Sequence, residues 1–201
     1  RDYTERMLSA FGADIDFAPG VATLRPGRVL RATSVDVPAD FSSAAFFLVA
    51  ASVIPGSHLV LERVGVNPRR TGLLEALRLM GADLTVRPAG EQGGEPVADI
   101  EVRAARLRGA AIPEALVPDM IDEFPALFTA SALAEGTTVV SGAAELRVKE
   151  SDRIAVMAAG LRALGAVIDE TPDGAVITGS GFTANAASTP SESRAARLRG
   201  G

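Results

Sequence analysis

The chain has 201 residues and a formal net charge of −5, with no cysteine and a single histidine, His58. This length allows one or two domains with a proper core. The acidic balance argues against a general nucleic-acid binder. Without cysteine there are no disulfides, thiolate metal sites or cysteine nucleophiles, and one histidine excludes a cluster of histidine ligands.

The distribution of apolar residues bears on the location of the protein. No apolar run reaches the length of a membrane-spanning helix, and no signal peptide of the usual three-part form is found. These features predict a soluble, cytoplasmic protein with no membrane partner. They leave its activity open.

The first predicted element is a helix whose end lies in the segment Phe11 to Ile15. Gly12 supplies the left-handed residue that closes the helix, and a strand follows. The same helix end, glycine and strand recur at Met80 to Leu84 and at Leu164 to Ile168. Recurrence of one local pattern is typical of a protein built from repeated units.

The first full copy of the repeat is predicted to start with a buried helix that Asp40, Ser42 or Ser43 caps. It continues with a turn at Gly56, a strand from His58 to Arg63, a helix from Gly72 to Met80 capped by Thr71, a strand from Asp83 to Arg87, a turn from Pro88 to Val97 and a strand from Ile100 to Arg103. The unit therefore has the order helix, strand, helix, strand, strand.

The second copy repeats this order. Its elements are a helix after Asp122, a turn at Gly136, a strand from Thr137 to Val140, a helix from Ser151 to Leu164 with Ser151 as N-cap, and strands from Val167 to Glu170 and from Ala175 to Thr178. The turn sequence Pro172-Asp173-Gly174 joins the last two strands as a hairpin. Because one unit cannot bury both of its faces, we expect the copies to pack together. The predicted fold class is α/β (α+β), with helices inside, including the apolar run Phe46 to Ile54, and sheets outside.

The most highly charged segment precedes the last helix. From Glu145 to Arg153, six of nine residues are ionisable, and an apolar face of Ile154, Met157, Leu161 and Leu164 follows. Unpaired backbone N–H groups at a helix start attract anions, so added cations there favour a phosphate or carboxylate site. A solvated, locally paired charge cluster is the alternative interpretation.

A second charged segment, Val117 to Leu127, is acidic. Three carboxylates, those of Asp119, Asp122 and Glu123, lie at the start of another apolar helix. Helix capping alone accounts for carboxylates in a first turn. An acidic and a mainly basic helix start together suit an enzyme that holds an anionic substrate while it moves a proton.

These two segments carry a family resemblance. Pro-Asp-x-x-Asp-Glu-Phe-Pro-Ala-Leu, then Glu-Gly-Thr-Thr, then Leu-Arg-Val-Lys-Glu-Ser-Asp-Arg resemble the 5-enolpyruvylshikimate-3-phosphate synthases in order and spacing. The likeness extends upstream through residues 40–51 and 1–8, and it covers roughly residues 1–182. It implies repeated βαβαββ units, grouped into two domains with the active site in the cleft between them.

The resemblance also implies a reaction. The enolpyruvyl group of phosphoenolpyruvate is transferred to the 5-hydroxyl of shikimate 3-phosphate through a tetrahedral intermediate, and phosphate is released, as a step of aromatic amino acid biosynthesis. No cofactor and no metal are implied. By the same resemblance, Asp119 would accept the proton of the hydroxyl, Lys149 would stabilise charge between the two substrates, and Glu150 would be the second acid/base carboxylate.

Further residues match substrate-binding positions of the family. Lys149 would contact both substrates, and Arg153 would bind phosphoenolpyruvate, since a fork of donors suits a planar carboxylate. Glu145 matches a substrate-contact position. Arg1 belongs to a motif that approaches the phosphate of shikimate 3-phosphate, and Tyr3 replaces the histidine usual in that motif.

Counting units against the family predicts a division of the chain. Residues 1–35 would be the end of the first domain's last unit, residues 36–182 two units of the second domain, and residues 183–201 a linker-like or disordered tail. An early Lys, an early Arg, a Ser-Ser-Gln-like phosphate clamp and a late catalytic Lys of the family have no counterpart. The chain is therefore predicted to be a piece of the enzyme that is inactive alone. The resemblance implies a monomeric full-length enzyme, whereas an apolar face left exposed predicts self-association of the piece.

Two other functions stay open. The first is a UDP-N-acetylglucosamine enolpyruvyl transferase, against which the string from Arg147 to Arg153 argues. The second is a non-catalytic repeat domain that binds anions or a partner. Arg69 and Arg70, after Pro68, resemble a further anion site, but a turn before a helix is the favoured interpretation.

Overall fold

The computed structural model describes residues 2–181 and the backbone of a short strand at 196–198. The helices are α1 (Tyr3–Ala10), α2 (Phe41–Val53), α3 (Gly72–Leu79), α4 (Phe124–Leu133) and α5 (Arg153–Ala163), with 3₁₀ turns at Pro68–Arg70, Glu114–Met120 and Ala144–Val148. The strands are β1 (Asp14–Ala18), β2 (Val21–Arg25), β3 (His58–Gly65), β4 (Asp83–Gln92), β5 (Glu95–Arg103), β6 (Glu135–Val140), β7 (Val167–Thr171), β8 (Gly174–Ser180) and β9 (Ala196–Leu198). Arg1 and, apart from β9, the predicted tail at 183–201 lie outside the described residues.

Two copies of one unit follow each other, the first unit at residues 39–103 and the second at residues 108–180. In the first unit β5 lies between β4 and β3, and in the second β8 lies between β7 and β6, with all these pairs antiparallel. A short leading segment adds parallel bridges, from Ala39 to Val64 in the first unit and from Arg108 to Glu135 and Ala111 to Val139 in the second. Both copies contain the predicted order helix, strand, helix, strand, strand.

Residues 104–107 connect the two units and are bonded to both. Ala104 donates its N–H to Ser57 O and Ala105 donates to Ser52 O, both at 2.9 Å and both in the first unit. The carbonyl of Leu107 accepts from the N–H of Glu135 in the second unit at 2.8 Å. The connection is therefore part of the fold and not a free linker.

Helices α2 and α4 form the centre of the core and run parallel. Ser42 and Glu123 are hydrogen-bonded at their starts, and Val53 and Leu133 line one cavity at their ends. Their apolar composition on all sides is typical of buried helices. The mixed fold, with central helices and antiparallel sheets, confirms the predicted fold class. None of the helices within residues 2–181 is long and apolar enough to cross a membrane.

One face of α2 departs from this burial. Leu48 is fully buried, whereas Phe46 and Phe47 are 61% and 48% exposed and Ile54 is 51% exposed. The prediction that the whole run Phe46 to Ile54 is buried is therefore wrong for this face. An apolar run shows that a helix has apolar sides, but not how many of them are covered. The exposed apolar face that the sequence predicts is present here.

The hairpin of the first unit is longer than predicted. The strands β4 and β5 pair as far as Gln92 and Glu95, so the predicted turn from Pro88 to Val97 contracts to Gly93 and Gly94. Both glycines have positive φ, 58° and 83°, which suits a two-residue hairpin turn. Pairing passes Pro88 with an irregularity of register, as expected for a proline in a strand.

The start and end of α5 also differ from the prediction. Asp152, not Ser151, is the N-cap, because its carboxylate accepts the N–H of Ala155 at 2.9 Å. Ile154 is fully buried and begins the apolar face, but Leu164 is 86% exposed because the helix ends at Ala163. The face is therefore shorter than the spacing predicts.

Candidate active site

Three helices, α2, α4 and α5, begin at the same end of the two units. Ser42, in the first turn of α2, donates its hydroxyl to Glu123 Oε1 at 2.5 Å. Arg153, the first residue of α5, has Nη1 at 3.4 Å from Asp122 Oδ1. Helix starts carry partial positive charge and unpaired N–H groups, so this end of the molecule favours carboxylates and anions.

Asp119 lies just before α4, in the 3₁₀ turn that contains Pro118. Its side chain is half-buried. Within residues 2–181 no hydrogen bond or ion pair engages its carboxylate. A carboxylate that is positioned but not internally paired can accept the proton of a bound hydroxyl, provided that the hydroxyl comes within hydrogen-bond distance.

The charged loop before α5 is held in place by Leu146 and Arg147. Leu146 is 1% exposed and anchors the loop in the core. Arg147 donates to the carbonyls of Pro172, at 2.8 Å, and Thr171, and it pairs with Asp152 at 2.8 Å. The hydrogen bond with Asp152 raises the pKa of Arg147 and outweighs the opposite effect of burial. Arg147 thus fastens the loop to the β7–β8 hairpin.

Lys149 is paired with Glu145 across one turn of this loop. The Lys149 side chain is 26% exposed and that of Glu145 is 59% exposed. The ammonium group is therefore partly covered, while its partner is at the surface. An anionic substrate could replace such an exposed carboxylate without burying an unpaired charge.

Glu150 and Arg153 form the next pair, with Glu150 Oε2 accepting from Arg153 Nη2 at 2.7 Å. A hydrogen bond from its own backbone N–H, and then this bond with Arg153, hold the pKa of Glu150 below its ordinary value. Glu150 is ionised at neutral pH and can accept a proton. The bond with Glu150 also raises the pKa of Arg153.

The structure brings the acidic segment and the charged loop together through Asp122 and Arg153. It shows no direct contact between Asp119 and Lys149 in the part of the chain that it describes. Arg1 lies outside that part. Across residues 2–181 no group of three or more His, Asp or Glu side chains is arranged to hold a metal ion.

Sequence reasoning missed Arg70 at this end of the molecule. Its Nη2 lies 2.5 Å from Ser42 Oγ and 3.8 Å from Glu123 Oε1. Burial lowers the pKa of Arg70, but the hydrogen bond with Tyr3 and the charges of Glu123 and Asp40 outweigh it and raise the pKa. The signal in the sequence was the pair Arg69-Arg70. The neighbouring residues do not indicate that Arg70 is largely buried while Arg69 is exposed.

Comparisons with known proteins agree with this arrangement. A family model described as EPSP synthase (3-phosphoshikimate 1-carboxyvinyltransferase) matches residues 1–196. The curated 3-phosphoshikimate 1-carboxyvinyltransferases of Xanthomonas axonopodis pv. citri (strain 306) and Xanthomonas campestris pv. campestris (strain 8004) are each 74% identical over 179 residues, 89% of this chain. The chain spans 41% of the length of these relatives.

A solved structure of EPSP synthase from Acinetobacter baumannii superposes with a TM-score of 0.88 at 53% identity. It covers 92% of this chain, and the chain covers 42% of it. The resemblance seen in the two charged segments is thereby confirmed over almost the whole chain. The helix starts that gather these segments are those of a known fold, and the chain belongs to the EPSP synthase family.

Proposed function

We propose that the protein to which this chain belongs transfers the enolpyruvyl group of phosphoenolpyruvate to the 5-hydroxyl of shikimate 3-phosphate and releases phosphate. One observation carries the proposal. Asp119 is half-buried and has no hydrogen-bond or ion-pair partner among residues 2–181, and it precedes a helix start that Asp122 joins to the charged loop at 3.4 Å. A proton acceptor and an anion site are thus adjacent, as transfer between two anionic substrates requires.

Each residue then has a chemical role. Asp119 accepts the proton of the 5-hydroxyl as its oxygen attacks C2 of phosphoenolpyruvate, while C3 takes up a proton that Glu150 relays from solvent, to give the tetrahedral intermediate. Loss of a proton from C3 and of phosphate from C2 restores the double bond in the product. Glu150, which is ionised, takes the C3 proton in this second step. Lys149 stabilises the negative charge of both substrates.

The remaining contacts concern binding. Arg153 divides its donors between Glu150 and Asp122, and the carboxylate of phosphoenolpyruvate replaces one of them. Glu145 releases Lys149 to the substrates. Arg1 approaches the phosphate of shikimate 3-phosphate. In this proposal residues 36–182 belong to the second domain and residues 1–35 to the end of the first, with the site between them. The cytoplasmic location and the monomeric state of the full-length enzyme stay predictions.

The proposal is tested by phosphate release from phosphoenolpyruvate plus shikimate 3-phosphate. The chain is assayed alone and as a chimera, in which its 179 matched residues replace the corresponding part of the Xanthomonas axonopodis relative. We expect no release by the chain alone and release by the chimera that depends on both substrates. UDP-N-acetylglucosamine serves as the control acceptor and should give none.

Two results would contradict parts of this proposal. A folded chimera that releases no phosphate would overturn the assigned reaction for this chain's residues. Release by the chain alone would show that the groups predicted to lie outside it are not required.

A further inference from the structure

We propose that the turn Arg70-Thr71-Gly72 of the first unit, called the 70–72 turn, is a positioning element for the acidic segment 119–123 of the second unit. The turn contacts this segment in two ways. The Arg70 side chain approaches its carboxylates, and the backbone of Gly72, which has no side chain, packs closely against its backbone. The inference rests on the proposed function only in supposing that the acidic segment takes part in the reaction.

Arg70 acts on the second half of the acidic segment. Its Nη2 lies 2.5 Å from Ser42 Oγ, 3.8 Å from Glu123 Oε1 and 4.0 Å from Asp122 Oδ2. The Glu123 side chain is 1% exposed, so a nearby cation offsets the cost of burying its charge. Arg70 therefore holds the start of α4 against the start of α2.

Asp122 transmits this constraint to the charged loop. One of its oxygens faces Arg70 at 4.0 Å, and the other faces Arg153 at 3.4 Å. The carboxylate lies between two guanidinium groups from different units. A shift of Asp122 after loss of Arg70 would change the orientation of Arg153, the residue assigned to phosphoenolpyruvate.

Arg70 does not act by touching substrate. Its side chain is 18% exposed. Its guanidinium lies over the ring of Tyr3 at 5.9 Å and has Asp40 at 3.7 Å on its Nη1 side. Protein groups thus surround it on the sides of α1, α2 and α4, which is the environment of a positioning residue.

Gly72 acts on the first half of the acidic segment. A Cβ at this buried position would lie 2.8 Å from Leu116 O and 3.2 Å from the carbonyl carbon of Asp119. The first is closer than a Cβ contact allows, and both atoms belong to backbone. Only glycine lets the 3₁₀ turn with Asp119 rest directly on the start of α3. This contact is independent of the ion pairs of Arg70.

The kinetic test compares Arg70→Met, Arg70→Lys and Gly72→Ala in the chimera. We expect Arg70→Met to raise the KM for phosphoenolpyruvate about 10-fold with a smaller change in kcat, and Arg70→Lys to recover part of that increase. Gly72→Ala should lower kcat up to roughly 100-fold, as a misplaced catalytic group does, with little change in KM. Arg69→Met, an exposed neighbour in the same turn, is the matched control and should stay within about twofold.

A second readout does not need activity. In the isolated chain, Gly72→Ala should shift the amide NMR signals of residues 114–120, and Arg70→Met those of residues 121–123 and of Arg153. An inactive parent chimera would contradict the proposed function, while these shifts would still support the positioning role. Unshifted signals at 114–123, or KM and kcat changes no larger than those of Arg69→Met, would overturn the inference. If Gly72→Ala does not fold, the KM values and NMR shifts of the two Arg70 variants test the positioning role without it.

Discussion

The two units have the same order of elements and the same strand pairing. They differ in the exposure and the partners of the charged residues in the connection from the first strand to the second helix. In the first unit, Arg70 in this connection is 18% exposed and lies among internal partners. In the second unit, Glu145, Lys149 and Glu150 are at or near the surface. The shared architecture fixes where a connection lies, and its sequence decides whether its charges support the fold or meet a ligand.

The same contrast holds at the starts of the first helices. Asp40 caps α2 by accepting the N–H of Ser43 at 2.8 Å, whereas Glu123 occupies the N-cap position of α4 without such a bond. In the second unit the carboxylate is turned toward Ser42 and Arg70 of the first. The N-cap residue of the first helix thus stabilises its own helix in the first unit, whereas in the second unit it bonds the two units together.

The largest expected effect is a loss of catalytic activity when charged residues of the second unit are replaced. In the chimera, Lys149→Met should lower kcat/KM by roughly 1,000-fold, because an electrostatic contact that strengthens in the transition state is lost. Asp119→Ala should lower kcat by a factor of about 100 to 10,000, as expected for a proton acceptor. Both should unfold at nearly the parent temperature in circular dichroism. Parent-like turnover by either variant would remove its residue from the assigned chemistry.

The next effect concerns the contact between leading segment and strand in each unit. A Cβ on Gly109 would lie 2.3 Å from the backbone of Thr137, whereas a Cβ on Gly65 would be 3.4 Å from its nearest neighbour, Pro38. We expect Gly109→Ala to lower the free energy of unfolding by about 3 kcal/mol. Gly65→Ala should change it by less than about 1 kcal/mol. Urea unfolding of the isolated chain measures both, and equal losses would show that the leading segments are held alike.

A smaller effect is expected at the side-chain cap of α2, which α4 lacks. Asp40→Ala should lower the free energy of unfolding by about 1 kcal/mol, because the N–H of Ser43 loses its acceptor. Asp40→Asn keeps an acceptor and is the matched control. Were the two variants equally destabilised, charge and not capping would be the function of Asp40, since both substitutions remove the attraction of Arg70.

The smallest effect is a dependence on acid in the sheet of the first unit. Hydrogen bonds with His58, then Arg87 and Arg103, lower the pKa of Glu101 from 4.5 to about 2. A lowered folded-state pKa gives stability that is complete above pH 4.5 and is lost as the pH falls toward 2. Glu101→Gln should therefore be less stable than the parent at neutral pH, and the difference should vanish toward pH 2. Urea midpoints between pH 2 and 7 measure it.

The second unit provides the control for this dependence. Glu101 belongs to the third residue pair between β3 and β5, and the third pair between β6 and β8 contains Thr178. The hydroxyl of Thr178 lies 3.5 Å from that of Thr137. Thr178→Val removes no ionisable group, and its effect on stability should not vary with pH. A difference from the parent that changes between pH 2 and 7 would contradict the origin given for the acid dependence.

Local patterns were sufficient to predict the repeat. Glycine-terminated helices and alternating strands depend on near neighbours in sequence, and the structure has them close to the predicted places. An exposed apolar face was predicted, but its place on α2 was not, because the sequence of an apolar run such as Phe46 to Ile54 does not show which sides of the helix are covered. The 70–72 turn was missed for a related reason. Arg70 meets Ser42 and Glu123 across long separations in sequence, and nothing in its own segment distinguishes it from Arg69.

The connection at 104–107 has a consequence for motion. Its backbone is bonded to the first unit at Ser52 and Ser57 and to the second at Glu135, and Met80 O also accepts from the N–H of Arg108. A tether this short, fastened on both sides, couples the two units. We therefore expect them to move together, so that the 4.0 Å distance between Arg70 Nη2 in the first unit and Asp122 Oδ2 in the second is preserved in any larger motion.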